Sequence, residues 1–244
     1  AASDVYKRQA AAVALCGMSV AFPVGVGLAL VLGVLINYFG AAKGDPLFIF
    51  LGVALIAAAI VMNGLAYRMA RTGKRKLTAK GLLISVAAGT IMAFFYRFVA
   101  SSMDLDSFTA PAAGKMTPYT AVVVFATGVF VSNFLFNTIA MKCPVEGTPV
   151  RPSEYFGGTF RTHLVGMLGG AIWCLGESFS MIASGKAGAA ISYGLGQGAT
   201  LVSALWGILI WKEFRGAPGA SVLCNAGMFV LFLAGLGLLI YAGA

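Results

Sequence analysis

From residue 221 to residue 243 the sequence reads SVLCNAGMFVLFLAGLGLLIYAG, without one formal charge. At about 1.5 Å per residue, a helix of this length crosses a hydrocarbon core of about 30 Å. Comparable runs lie at roughly 10–38, 47–69, 81–100, 119–141, 161–184 and 187–211, making seven expected spans of about 20 residues or more. With 59% hydrophobic and 10% charged residues, the 244-residue chain has too few polar groups to cover a soluble globule. Its mean hydropathy is +0.90. The runs are long and Gly-rich, unlike the short alternating segments of an outer-membrane barrel. The sequence therefore predicts an all-α, polytopic transmembrane helix bundle.

Charge placement orients the bundle. Arg68, Arg71, Lys74, Arg75, Lys76 and Lys80 cluster between the second and third spans with no acid among them, so residues 70–80 are expected to form a basic cytoplasmic loop. Parity then places Lys142, Arg151, Arg161, Lys212 and Arg215 on the same side, and Lys43, Arg97, Lys115 and Lys186 on the other. The stretch is not a phosphate-binding loop, because Arg75 follows Gly73-Lys74 and Arg68 stands where the first Gly is needed. An anionic-lipid or nucleic-acid patch is the alternative reading. The orientation signal is the simpler account, and no nucleic-acid partner is expected.

Displacing the chain by 175 residues lays 12–69 on 187–244 without a gap and aligns Ala29 with Ala204, Leu30 with Leu205, Phe39 with Phe214, Gly44 with Gly219 and Gly52 with Gly227. The breaks align too. The first span carries Pro23, Gly25 and Gly27, the sixth carries Gly194, Gly196 and Gly198, and Pro23 falls on Gly198. Both groups lie roughly 15 to 18 Å from a helix end, near the midplane. Broken backbone at that depth is tolerated where protein or a water-filled cavity satisfies it. The copies are five helices apart and so cross in opposite directions, and matched interruptions in inverted repeats mark the central site of a transporter. Close helix packing through small residues, as at Gly166 and Gly170, is the competing explanation. If the last five helices form one repeat, the first two are the end of another, and three more helices are expected before residue 10.

Polar residues inside the spans are the site candidates. Glu177 is the only acid well inside one; it can accept hydrogen bonds from a solute, couple a proton, or reach the interface to pair with Lys186 or Arg97. Gln197 lies within the break in GLGQGAT, where its amide can both donate and accept, to a solute or to a neighbouring helix. Trp173 and Trp206 lie near midplane depth and can line a cavity or simply pack, while Trp211 reads as an interfacial anchor. Asn133 and Asn137 share one helix face, and Tyr96 and Asn63 are further candidates. His163 has no partner spaced for catalysis. Cys16, Cys143, Cys174 and Cys224 form no CxxC or metal pattern and read as packing residues. No enzyme activity, cofactor or metal is expected, and no sequence feature sets an oligomeric state.

The first nine residues, AASDVYKRQ, break the pattern. As protein, a basic pair before an apolar run resembles the start of a signal peptide. As nucleic acid, the codons GCA GCG TCA GAT GTG TAT AAG AGA CAG encode all nine and resemble the end of a transposase sequencing adapter. Residues 1–9 are expected to be a non-native scar. Without Asp4, Lys7 and Arg8, the formal charge of +9 becomes +8.

The stretches GGAIWCLG and AGAAISYGLGQGATLVSALWGILIWKEFRG resemble the second half of the drug/metabolite transporter superfamily, and GLALVLGVLINYFGAAKGDPLFIFLGVALIAAAI resembles the end of its first half. Within it the chain is similar to the ureide permeases and related bacterial sugar-type porters. The resemblance implies ten helices in two inverted five-helix repeats, of which about seven are present. Residues 10–69 would then be the last two helices of the first repeat, and 81–244 the whole second repeat. It also implies a secondary transporter in the plasma (inner) membrane, moving a small polar or heterocyclic solute by alternating access, with a proton or ion as candidate coupling species. The alternatives are a multidrug or metabolite exporter of the same fold and a non-transporting structural membrane subunit.

Overall fold

The computed structural model describes residues 22–70, 79–144 and 149–243. Residues 1–9, the first part of the first expected span and basic residues 71–78 lie outside the described residues. A π-helical turn, Phe22–Val26, runs into α1 (Gly27–Gly40). There follow α2 (Pro46–Ala70), α3 (Ala79–Ser102), α4 (Pro118–Lys142), a short α5 (Pro152–Phe156) and α6 (Phe160–Ala187). The chain continues as α7 (Ala189–Gly196), α8 (Ala199–Leu205), a second π-helical turn (Trp206–Ile210) and α9 (Gly219–Ala242). Among the described residues six stretches are long and apolar enough to cross a membrane: Pro46–Ala70, Leu83–Ser102, Pro118–Lys142, Phe160–Ala187, Ala189–Ile210 and Gly219–Ala242. The described chain is an all-α polytopic bundle, and each stretch agrees with an expected span to within about three residues.

Local chemistry sets the helix ends. Pro46, Pro118 and Pro152 each open a helix, where the missing N–H costs nothing. Thr117 and Thr159 cap α4 and α6, their hydroxyls accepting from the Thr120 and Thr162 amides at 3.1 and 3.4 Å. One residue, Gly188, separates α6 from α7, and its φ of +85° is open to glycine at no steric cost.

Consecutive helices alternate in direction. One end of the bundle, here the upper end, carries residues 41–45, 103–117, Gly188 and Gly243; the lower end carries 143–144, 149–159 and 211–218. At the upper end three cations finish helices. Lys43 Nζ donates to the Gly185 carbonyl near the end of α6 (2.7 Å), Arg97 Nη2 to the Gly40 carbonyl ending α1 (3.1 Å), and Lys115 Nζ to the Ser101 carbonyl ending α3. The last carbonyls of a helix lack intrahelical partners and carry the negative end of its dipole.

The core joins α1, α2, α3, α7 and α9 around Ala29, Leu30, Val34, Ile56, Tyr96, Tyr193, Met228 and Phe232. The most extensive contact is between α2 and α9, which run antiparallel: a Cβ added to Gly52 would stand 2.8 Å from the Gly235 carbonyl, and one on Gly235 2.7 Å from the Gly52 carbonyl. Ser221 Oγ donates to the Ala66 carbonyl at 2.6 Å, and Asn63 Nδ2 reaches Asn225 Oδ1 at 3.5 Å along the same seam. Helices α4 and α6 join this core near their upper ends alone. The buried residues of α4 are Pro118 and Ala121, and those of α6 are Met181, Ser184 and Gly185.

Substituting Leu for Gly235 should separate α2 from α9 and cost about 1–3 kcal/mol of stability, seen as a lowered unfolding transition in detergent. Gly237→Leu, where an added side chain meets open space, should leave the transition in place. A second expectation concerns the 103–117 loop, folded around Asp104. Its Oδ2 accepts from the Ala112 amide (2.8 Å) and its Oδ1 from the Asp106 and Ser107 amides (3.1 and 3.2 Å). The Ala112 amide, then that of Asp106, holds the carboxyl below the usual carboxylate range. Its stabilisation is therefore complete above the ordinary aspartate value of about 3.9 and is lost as the pH falls through the folded value. Hydrogen exchange at the Ala112 amide should accelerate on acidification below that point, and Asp104→Asn should remove the dependence.

Candidate solute site at the α6–α7 hairpin

The one-residue turn at Gly188 brings α7 back along the last turns of α6. Two serines then face each other: Ser192 Oγ donates to the Ser180 carbonyl at 2.6 Å, and Ser180 Oγ lies 3.3 Å from the Ser192 carbonyl. Tyr96 of α3 completes the group, its hydroxyl donating to the same Ser180 carbonyl at 3.1 Å and standing 3.4 Å from Ser180 Oγ. The Tyr96 ring is buried against Tyr193, with centroids 5.2 Å apart. Tyr193 Oη in turn lies 3.2 Å from the carbonyls of Ala29 and Met92, tying α7 to α1 and α3.

Glu177 lies on α6 one turn before Ser180, within electrostatic range of the Tyr96 hydroxyl. Its helix continues to Ala187, three residues past the expected end, so the carboxylate is about 15 Å from the helix terminus. Arg97, one of its candidate partners, donates instead to the Gly40 carbonyl. Glu177 Oε1 is buried without a hydrogen-bond partner. So is Thr200 Oγ1, in the first turn of α8.

Between α7 and α8 the helix is interrupted at Gln197 and Gly198, and Gln197 is 7% exposed. Gly196, at the end of α7, faces Ser180: a Cβ there would stand 3.3 Å from Ser180 Oγ. The π-helical turn Phe22–Val26 packs against α8, the helix that begins just after this interruption. Helix α3 crosses that turn at Gly89, where a Cβ would stand 2.2 Å from the Gly25 carbonyl. Gly194 abuts Val34 and Leu239.

The candidates are thus not all in one place. Tyr96, Glu177 and Gln197 belong to the hairpin and its break. Trp173 is partly buried on α6, its ring tilted toward Phe125 at 6.2 Å. Trp206 begins the second π-helical turn and is 51% exposed. Asn133 and Asn137 lie on the exposed part of α4, where Asn137 Nδ2 donates to Asn133 Oδ1. Ser180 and Ser192 were not among the candidates, because their pairing depends on a turn of one residue that hydropathy does not resolve. Among the described residues no group of three His, Cys, Asp or Glu side chains could hold a metal ion.

An interrupted helix beside a buried polar cluster, within six apolar helices of membrane-crossing length, defines an integral multi-pass membrane protein. A family model, Ureide permease, matches residues 65–242, and the chain belongs to that family. It is 24% identical to Ureide permease 2 of Arabidopsis thaliana over 168 residues, which is 68% of this chain and 42% of the plant protein. It is also 24% identical to Ureide permease 1 of the same plant over 165 residues, 67% of this chain and 42% of that protein. The aligned region thus spans less than half the length of these curated relatives. No solved structure matches the chain.

Removing the Ser192 hydroxyl should cost about 0.6 kcal/mol, as is common for hydrogen bonds between membrane helices. A cycle of Tyr96→Phe and Ser192→Ala, read by unfolding in detergent, should give a coupling term, because both hydroxyls donate to one carbonyl.

Proposed function

We propose that the protein is a secondary transporter that moves a small polar or heterocyclic solute, of the ureide type, by alternating access. The observation that carries this reading is a buried, unpartnered carboxylate oxygen of Glu177 on the hairpin that leads into the Gln197–Gly198 interruption, with the π-helical turn Phe22–Val26 packed against the helix that follows it. An unsatisfied acceptor inside apolar helices is costly unless a solute, a proton or water uses it. The solute class comes from the name of the plant relatives. Glu177 and Gln197 contact the solute, Tyr96 and Trp173 wall the site on α3 and α6, and Trp206, Asn133 and Asn137 line the path toward the lower end. Glu177 accepts solute N–H groups or carries a coupling proton.

The architecture proposed is that of the drug/metabolite transporter superfamily, with residues 10–69 and 81–244 belonging to two inverted repeats. Two contacts favour a dyad. Helix α1 runs antiparallel to α7, with Gly33 against Tyr193 and Val34 against Gly194, and α2 runs antiparallel to α9. The aligned glycines 52 and 227 each abut the opposite helix, at Gly235 and Met62. The lower end, where α2 ends and α3 begins, faces the cytoplasm of a cell whose plasma membrane holds the protein.

Cells expressing the protein should take up a radiolabelled ureide saturably, and the Gln197→Ala, Trp206→Ala double variant should lose at least about tenfold in rate, the equivalent of one lost hydrogen bond or aromatic contact. Undiminished uptake by that variant rejects the site. Efflux without uptake identifies an exporter, and a constant copurifying partner with no flux identifies a structural subunit.

A further inference from the structure

The upper end of the bundle is shut by backbone contacts in which glycines leave no room for a side chain. Lys43 lies across the α6–α7 turn: its ammonium donates to the Gly185 carbonyl at 2.7 Å, and a Cβ on Gly188 would meet Lys43 Cβ at 3.0 Å and Cδ at 3.2 Å. The next residue, Gly44, has a φ of +94°, and a Cβ there would stand 2.8 Å from both the Ala242 carbonyl and Ile191 Cδ1. The Asp45 amide donates to that same Ala242 carbonyl at 3.0 Å. From the other side the 103–117 loop closes on Gly185, where a Cβ would stand 2.4 Å from the Leu105 carbonyl. Three chain segments, the 41–45 loop, the 103–117 loop and the end of α9, therefore converge around the α6–α7 turn.

At the lower end α4 and α6 do the opposite. Phe134, Leu135 and Ile139 on α4, and Phe160, Leu164 and Leu168 on α6, are all about half exposed or more among the described residues. These two helices meet the core only beside the closed end.

We propose that the 41–45 loop is a gate over the site and that Lys43 is its latch. The inference rests on the transport reading above. In this conformation the gate is closed at the upper end, and the opposite conformation requires the Lys43 ammonium to leave the Gly185 carbonyl. The bond is suited to that exchange. It is charge-assisted and ends on the negative pole of a helix, which favours closure. Its donor sits on an exposed residue, so water can replace the carbonyl when the loop lifts. Glycine at 44 and 188 lets loop and turn dock without interlocking side chains, and the contact can re-form after each opening.

Ser184 is a natural reporter, being fully buried one turn below Gly188. In a background with Cys16, Cys143, Cys174 and Cys224 replaced by Ser, Ser184→Cys would be labelled with a membrane-impermeant maleimide added to either face of sealed vesicles. Lys43→Met should speed labelling from the face bearing Lys43 by about tenfold, the factor expected for one charge-assisted hydrogen bond. Lys43→Arg should restore the slow rate. An unchanged rate in Lys43→Met overturns the proposal, and so does an equal increase from both faces, which marks general loosening. If Lys43→Met fails to fold, as judged by gel filtration, Lys43→Gln supplies the same comparison. The assay needs no solute, so a failed gate and a failed transport assignment are told apart.

Discussion

Every peptide group between the two ends of this bundle has to find its hydrogen-bond partner within the protein, because hydrocarbon offers none. That requirement makes the spans helical, and it makes each departure from a regular helix costly. The departures are few and local: the π-helical turns at Phe22–Val26 and Trp206–Ile210, and the interruption at Gln197–Gly198. The turn Phe22–Val26 packs against the helix that begins just after Gln197–Gly198, and that interruption ends the hairpin that holds Glu177, Ser180 and Ser192. The serine hydroxyls bonded to carbonyls of the facing helix satisfy part of the polarity there, while the oxygens of Glu177 and Thr200 are left over.

The same requirement explains why the cations do not all obey one rule. Counting Lys and Arg by side assigns four to the minority face, and three of these are spent on helix ends, at Gly185, Gly40 and Ser101. They act as caps on carbonyls that no backbone amide can reach. A charge that closes a helix has a reason to be where it is independent of membrane orientation, and discounting it sharpens the contrast between the two ends.

Much of the fold was legible because length and hydropathy are read directly from residues. The six apolar stretches and their short connections follow from runs of about 20 residues, and the openings at Pro46, Pro118 and Pro152 follow from the geometry of the ring. The site was legible only in part. Glu177 and Gln197 announce themselves as polar residues in apolar surroundings, but Ser180 and Ser192 are ordinary serines until a single glycine folds α7 back on α6. The helix that carries Glu177 runs past its expected end at 184: Gly185, Lys186 and Ala187 continue it, although glycine and charge commonly announce a helix end. Nor does hydropathy reveal that Gly52 meets Gly235, since the partner of a small residue depends on how two distant helices are rotated.

The turn at Gly188 has a mechanical consequence. With one residue between them and two serines cross-bonded below it, α6 and α7 cannot tilt separately; they behave as a single rigid arm. One limb of that arm carries Glu177, and the other ends at the interruption beside Gln197. A displacement at the tip would therefore reach both limbs at once, in the manner of a crank, and would leave the distance between carboxylate and broken helix nearly fixed.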